Sequence, residues 1–169
     1  LNEGEVYLYK DDILRLADYL KLNNQEGLKK FAKKYVKVIN DSFFWKPSES
    51  QRGRTYRFKT LAFRFTGEDE HCHFLKDNMC SVHEHRPFQC RCFPHWQILI
   101  SSPKNFRNYA KKCKGLQNSE GRYYSREEIL EWARKEYEIE KNYFLEIKNH
   151  NFNIQKVYPF IPKEMLHED

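Results

Sequence analysis

An α+β fold in a single domain, with a few short strands, about four helices and a cysteine-rich loop region at its centre, follows from three features of this chain. Apolar residues recur at three-and-four spacing in several segments, the pattern of amphipathic helices. One segment instead alternates rings with basic residues, the pattern of a strand. Between the patterned segments lies a stretch of Cys, His, Pro, Asn and Asp too irregular for long elements. The 169 residues suit one domain, expected to span positions 1–169 and long enough to bury a core without staples. Aromatic residues make up 16% of the chain, so that core should be built largely from rings.

The elements follow in order. Asp11 or Asp12 can cap a helix bearing Ile13, Leu16, Ala17 and Leu20 on one face. Asn24 can cap a second, with Leu28, Phe31, Ala32 and Tyr35 inward and lysines outward, so that the two form a helical hairpin. A polar stretch at 48–53 precedes Thr55 to Phe65, where the alternation predicts a strand or hairpin. Glu68, Asp69 and Glu70 read as a turn, and Trp96 to Ile100 as a short strand. Ser102 and Pro103 start a helix expected to reach about Lys112, leaving Cys113 at its end beside Gly115. Ser125 with Glu128 forms a capping box for the longest helix. Its inward stripe is Ile129, Trp132, Ala133, Tyr137, Phe144 and Ile147, and it should end near Asn149. Residues 152–169 are punctuated by proline and are expected to lie over the body as an extended tail.

The net charge of +6 and the pI near 9.0 favour acidic partners. Basic residues concentrate at Lys29, Lys30, Lys33, Lys34 and Lys37, and again at Lys104, Arg107, Lys111, Lys112 and Lys114. These runs read as solvated helix faces or, with the aromatic basic strand, as a nucleic-acid-binding surface. No run approaches a membrane span and nothing resembles a signal peptide, although the chain begins at Leu1 rather than methionine. Five cysteines is an odd number, and their crowding does not resemble a secreted disulfide scaffold. A reducing, cytoplasmic setting is expected. The sequence contains no Gly-rich phosphate loop, no nucleophile elbow and no paired carboxylates beside the cysteines, so no enzyme class is identified.

Four of the five cysteines, Cys72, Cys80, Cys90 and Cys92, fall within 21 positions, with His71, His73, His83 and His85 among or beside them. Thiolate and imidazole are the donors that hold zinc, iron or an iron–sulfur cluster. No pair has the two-residue gap of a zinc knuckle, so a metal site here would be assembled from loops. The alternatives are buried free cysteines, or redox or nucleophilic thiols with His83 or His85 as base.

The pattern Cys72-His73-Phe74-Leu75, Cys80, Arg86-Pro87, Cys90-Arg91, Phe93-Pro94 and Cys113-Lys114-Gly115 resembles the YkgJ-type cysteine-cluster family, also called the CxxCxxCC family. Its members are described as candidate zinc- or iron-chelators, some of them as iron–sulfur oxidoreductases. Glu3-Gly4-Glu5-Val6-Tyr7-Leu8 followed by Asp11-Asp12-Ile13 extends the resemblance upstream, so that it covers roughly Glu3 to Gly115. The family's CxxCxxCC cluster is absent from this sequence, and the resemblance would place it ahead of Leu1. His83 stands where many relatives carry an aromatic residue.

Taken position by position, the resemblance implies Cys72, Cys80, Cys90 and Cys113 as thiolate ligands. Cys92 matches no family cysteine and is left as a spare or buried thiol, or as a substitute for Cys113. The four histidines are assigned hydrogen bonds to ligands or a place on solvated loops, and Arg86 either neutralises a multithiolate site or forms an ordinary ion pair. Zinc and an iron–sulfur cluster are both accepted by such a donor set, so the implied cofactor is one or the other. The implied function is that of a metalloprotein with a redox or metal-handling role. A metal- or thiol-dependent enzyme and a basic nucleic-acid-binding module are the alternatives.

Overall fold

The computed structural model describes residues 5–66, 71–117 and 120–167. The turn expected at Glu68, Asp69 and Glu70 lies outside them. Helix α1 (Lys10–Tyr19) starts from Tyr9, not from Asp11 or Asp12. Asp12 lies in the first turn and reaches back to accept a hydrogen bond from the Tyr9 amide at 3.5 Å. It takes the third helical position because its carboxylate also serves partners far along the chain.

Helix α2 (Gln25–Tyr35) is capped by Asn24 as expected, the side-chain oxygen accepting from the Gly27 amide at 2.7 Å. α1 and α2 bury Ile13, Leu16, Ala17, Phe31 and Ala32. Gly27 sits where a Cβ would lie 2.6 Å from the Leu22 carbonyl oxygen. Helix propensity alone would reward alanine there by about 1 kcal/mol. The close backbone contact is expected to reverse the sign, so Gly27→Ala should lose about 1–3 kcal/mol in urea unfolding. An unchanged or higher midpoint would mean that the loop before α2 yields.

α2 runs directly into β1 (Val36–Trp45), which pairs antiparallel along its whole length with β2 (Arg54–Phe63), Val36 opposite Phe63 and Trp45 opposite Arg54. β2 falls where the ring alternation placed a strand, whereas β1 was not anticipated. On the other edge of β2, the Leu8 amide donates to Leu61 and the Phe63 amide to Val6, both at 2.9 Å. The N-terminal segment is thereby fixed as a third, short line of pairing.

β3 (Phe65–Thr66), β4 (His71–Cys72), β5 (Leu75–Lys76), β6 (Met79–Cys80) and the one-turn helix α3 (Phe88–Cys92) carry the cysteine segment. Trp96 to Ile100 is not a strand: Gln97–Ile100 forms a helical turn, α4, in which the Leu99 and Ile100 amides donate to the Trp96 carbonyl at 2.8 and 3.0 Å. Leu99 is buried and Ile98 is 65% exposed, so the two neighbours face opposite ways without pairing to another strand. α5 (Pro103–Lys112) begins from a Ser102 cap and ends at Cys113, as the sequence predicts. α6 (Arg126–Asn149) begins with the Ser125–Glu128 capping box and is the longest element.

The core is built largely of rings. Phe144 of α6 lies 4.9–5.9 Å from the rings of Phe43, Trp45, Tyr56 and Phe58 on the two long strands. The Tyr143 hydroxyl donates to the Lys59 carbonyl at 2.7 Å, fixing α6 across β2. The segment after Phe152 is folded in and not merely extended. It forms a helical turn, α7 (Ile154–Val157), and a 3-10 turn at Lys163–His167. Ile154, Val157, Tyr158, Ile161 and Met165 are buried in the same cluster as Leu8 and Phe31. Burying that many apolar side chains outweighs the cost of ordering a proline-punctuated segment.

Candidate metal centre

The turn between β5 and β6 places Asp77 and Asn78 at φ 48° and 61°. Two successive residues in the left-handed region make the two-residue hairpin turn whose twist suits antiparallel strands, and Asp and Asn tolerate it best after glycine. The hairpin sets Cys80 opposite Leu75, while Cys72 ends β4 three residues before Leu75. The Ser81 amide and hydroxyl both donate to the Phe74 carbonyl, at 2.8 and 3.0 Å, closing the connection. Cys72 and Cys80 thus come to one place despite the seven residues between them.

Cys90 reaches the same neighbourhood from α3, and long-range hydrogen bonds to α1 and to the N-terminal segment fix that helix. The Phe88 amide donates to Asp12 at 2.9 Å, and Arg15 donates to both Asp12 at 2.7 Å and the Arg86 carbonyl at 2.9 Å. The Gln89 side chain grips the N-terminal segment, accepting from the Tyr7 amide at 2.6 Å and donating to the Glu5 carbonyl at 3.0 Å. Asp12 was read from the sequence only as a helix cap and Gln89 was not singled out. The signal for Asp12 was available, since it stands inside the upstream stretch that carries the family resemblance.

The electrostatics tie three thiols together. Burial pushes Cys90 up to about 12, the charges of Cys72 and Cys80 push the same way, and Arg86 opposes them. Burial also raises Cys72, with the charge of Cys80 adding to it. The Phe74 and Leu75 amides donate to the Cys72 sulfur and pull in the other direction, as donors to a thiolate do. Arg86 thus acts on Cys90 as a neutralising charge would, while its Nε donates to the His83 carbonyl at 3.0 Å.

Cys113 ends α5 beside Tyr109, whose phenol its charge raises, secondary to burial. Cys92 is fully buried and its thiol donates to the Gln89 carbonyl at 3.5 Å. Burial and then the charge of Glu136 bring it to about 12. Three of the histidines make contacts other than with sulfur. His83 pairs with the Glu84 carboxylate at 3.0 Å in solvent, His85 stacks on Tyr19 at 4.2 Å, and His73 meets the edge of Tyr35. All five cysteines are free, and among the described residues no three His, Cys, Asp or Glu side chains form a group able to hold a metal ion. Cys72, Cys80 and Cys90 are neighbours, not a closed coordination shell.

Their chemistry nevertheless fits a thiophilic cation. Cys72 and Cys90, raised by burial and by neighbouring thiolate charge, hold their protons when alone, and a divalent ion would replace those protons and reverse the repulsion. Half-buried sulfurs on β4, β6 and α3 are donors of the kind that a thiophilic cation takes. The chain belongs to the CxxCxxCC family, described as "Putative zinc- or iron-chelating domain", whose pattern matches residues 2–153. The match therefore continues past Gly115 through the whole of α6. No curated protein and no solved structure matches the chain.

The basic runs are partly committed within the protein. Lys33 pairs with Glu164 at 3.1 Å and Lys37 with Glu5 at 2.9 Å, while Lys34 lies over the Tyr35 ring. Among the described residues no helix is long and apolar enough to cross a membrane.

Proposed function

We propose that Cys72, Cys80 and Cys90, with Cys113 as fourth thiolate, hold zinc or an iron–sulfur cluster, and that the protein handles metal or electrons in a reducing, cytoplasmic setting. The observation that carries this reading is the convergence of three half-buried thiols, in which, after burial, the charges of Cys72 and Cys80 raise Cys90 and that of Cys80 raises Cys72. Arg86 offsets the negative charge that such a thiolate set would accumulate. A bound metal would supply local cross-linking of the hairpin to α3, and an iron–sulfur cluster would add one-electron chemistry.

A thiol enzyme is less well supported. Burial places Cys90 and Cys92 near 12, which leaves almost no thiolate at neutral pH without a cation. The nucleic-acid alternative loses part of its charge to the internal pairs of Lys33 and Lys37.

The test is anaerobic purification followed by elemental analysis, labile-sulfide assay and a visible spectrum. Iron with matching sulfide and a brown colour assigns the cluster and the redox role. About one zinc per colourless chain assigns a structural or metal-handling role. Protein that takes up neither metal, even after reconstitution, overturns the proposal.

A further inference from the structure

A second site lies away from the β5–β6 hairpin. The N-terminal segment, α3, α4 and α6 line a cavity of about 290 Å³. Tyr7, Tyr9, Phe88 and Trp96 are its aromatic walls, and Glu136 and Glu140, one turn apart on α6, are its acidic groups. One Glu136 oxygen accepts from the Gln97 amide at 2.6 Å. Among the described residues neither carboxylate has an ion-pair partner, although the chain as a whole carries +6.

The charges acting on the cavity are all of one sign. Burial, then Glu136, then Asp41 of β1 raise Glu140 to about 7. Burial raises Tyr7 to about 12 and Tyr9 further, with Asp41 and Glu140 adding to both. Burial raises Glu136 as well, against the Gln97 amide. A partly open acidic site with aromatic walls lacks one thing, a positive charge with an apolar skin. A bare metal ion matches it less well: among the described residues no three His, Cys, Asp or Glu side chains gather there, and much of the wall is aromatic carbon. A neutral ligand would leave the carboxylates uncompensated.

We propose that this cavity binds a small organic cation, an alkylammonium or alkylguanidinium, whose charge meets Glu136 and Glu140 while its carbon skeleton packs among Tyr7, Tyr9, Phe88 and Trp96. Rings around a cation attract it through their quadrupoles as well as by excluding water. The volume lies at the lower end of ligand pockets, which selects a small free amine over a bulky one. This inference does not depend on the metal at the cysteines.

The test is titration of the full chain with n-butylammonium and n-butylguanidinium, followed by amide chemical shifts, with 1-pentanol as the neutral analogue. Shifts should concentrate at Tyr7, Trp96, Gln97 and the Glu136–Glu140 turn. Affinity should rise about fivefold or more from pH 6 to pH 8, because the cation binds ionised Glu140, whose protonation falls across that window. Tyr7 and Cys92, near 12, stay protonated throughout and do not contribute. Glu140→Gln should weaken binding about tenfold and flatten the pH dependence without lowering the unfolding midpoint at pH 8, since it removes a half-buried charge with no partner. Glu138→Gln, on a residue paired with Lys141 at the surface, should bind as the wild type does. Equal binding of pentanol, or full affinity in Glu140→Gln, overturns the proposal. If Glu140→Gln fails to fold, a wild-type affinity that does not change between pH 6 and pH 8 overturns it.

Discussion

Cys90→Ser is expected to lower metal affinity at least about 100-fold, whereas Cys92→Ser, two positions away, should leave it nearly unchanged. The contrast rests on placement. Cys90 feels the charges of Cys72 and Cys80, while Cys92 is directed to the Gln89 carbonyl and toward Glu136. Losing a group that merely orients a ligand already costs about 10–100-fold, so losing a ligand should cost at least the upper figure. Competition against a chelator of known affinity, with metal counted by elemental analysis, measures both variants. Amide exchange supplies an independent readout. If metal ties the β5–β6 hairpin to α3, exchange across residues 72–94 should accelerate in Cys90→Ser and on metal removal. Equal losses in the two cysteine variants, or none in either, would contradict the assignment of Cys90.

What the sequence disclosed and what it concealed divide along the range of the interactions. Ser102 and the Ser125–Glu128 pair mark their helices through contacts three residues apart, and both starts were legible. β1 was not, because Lys37, Asn40, Asp41 and Ser42 interrupt its apolar alternation. It is a strand because β2 pairs with it over ten residues, a decision made by a segment across a turn. Trp96 to Ile100 reads as a short strand in the sequence and is a helical turn in the fold. Its conformation is set instead by the helical hydrogen bonds to Trp96, whose indole is held by the Gln89 carbonyl at 2.8 Å.

At the cysteines the residue types pointed to metal before any geometry was available. Spacing did not reveal which sulfurs meet. The eight-residue step from Cys72 to Cys80 is bridged by the Asp77–Asn78 turn, and the approach of Cys90 depends on contacts with α1 more than 70 positions away. Cys113 was assigned through resemblance, and its neighbours in the fold are Tyr109 and Gly115. Those contacts make Asp12, with Arg15, the link between α1 and the segment that carries Cys90.

Asp12→Ala is accordingly expected to cost about 3 kcal/mol or more and to weaken metal binding, although Asp12 is no ligand. The carboxylate is 3% exposed and gathers the Phe88 amide, the Arg15 guanidinium and the Tyr9 amide. Its loss strips the buried Phe88 amide of its acceptor and takes one of two partners from Arg15, and each buried polar group left unsatisfied costs about 1–3 kcal/mol. Asp12→Asn should cost much less, for a reason that can be read from the charge. Burial raises the Asp12 carboxyl even against its donors, so ionising it opposes folding. The folded state then binds more protons than the unfolded one as Asp12 titrates, and stability falls as pH rises through that range. The wild type should therefore lose ground to Asp12→Asn on going from acid to neutral pH, while Asp12→Ala stays below both. Urea unfolding across that range, with amide exchange at Phe88–Cys92, measures the effect. Equal costs for Ala and Asn, with α3 exchange unchanged, would show that Asp12 does not couple α1 to the cysteines.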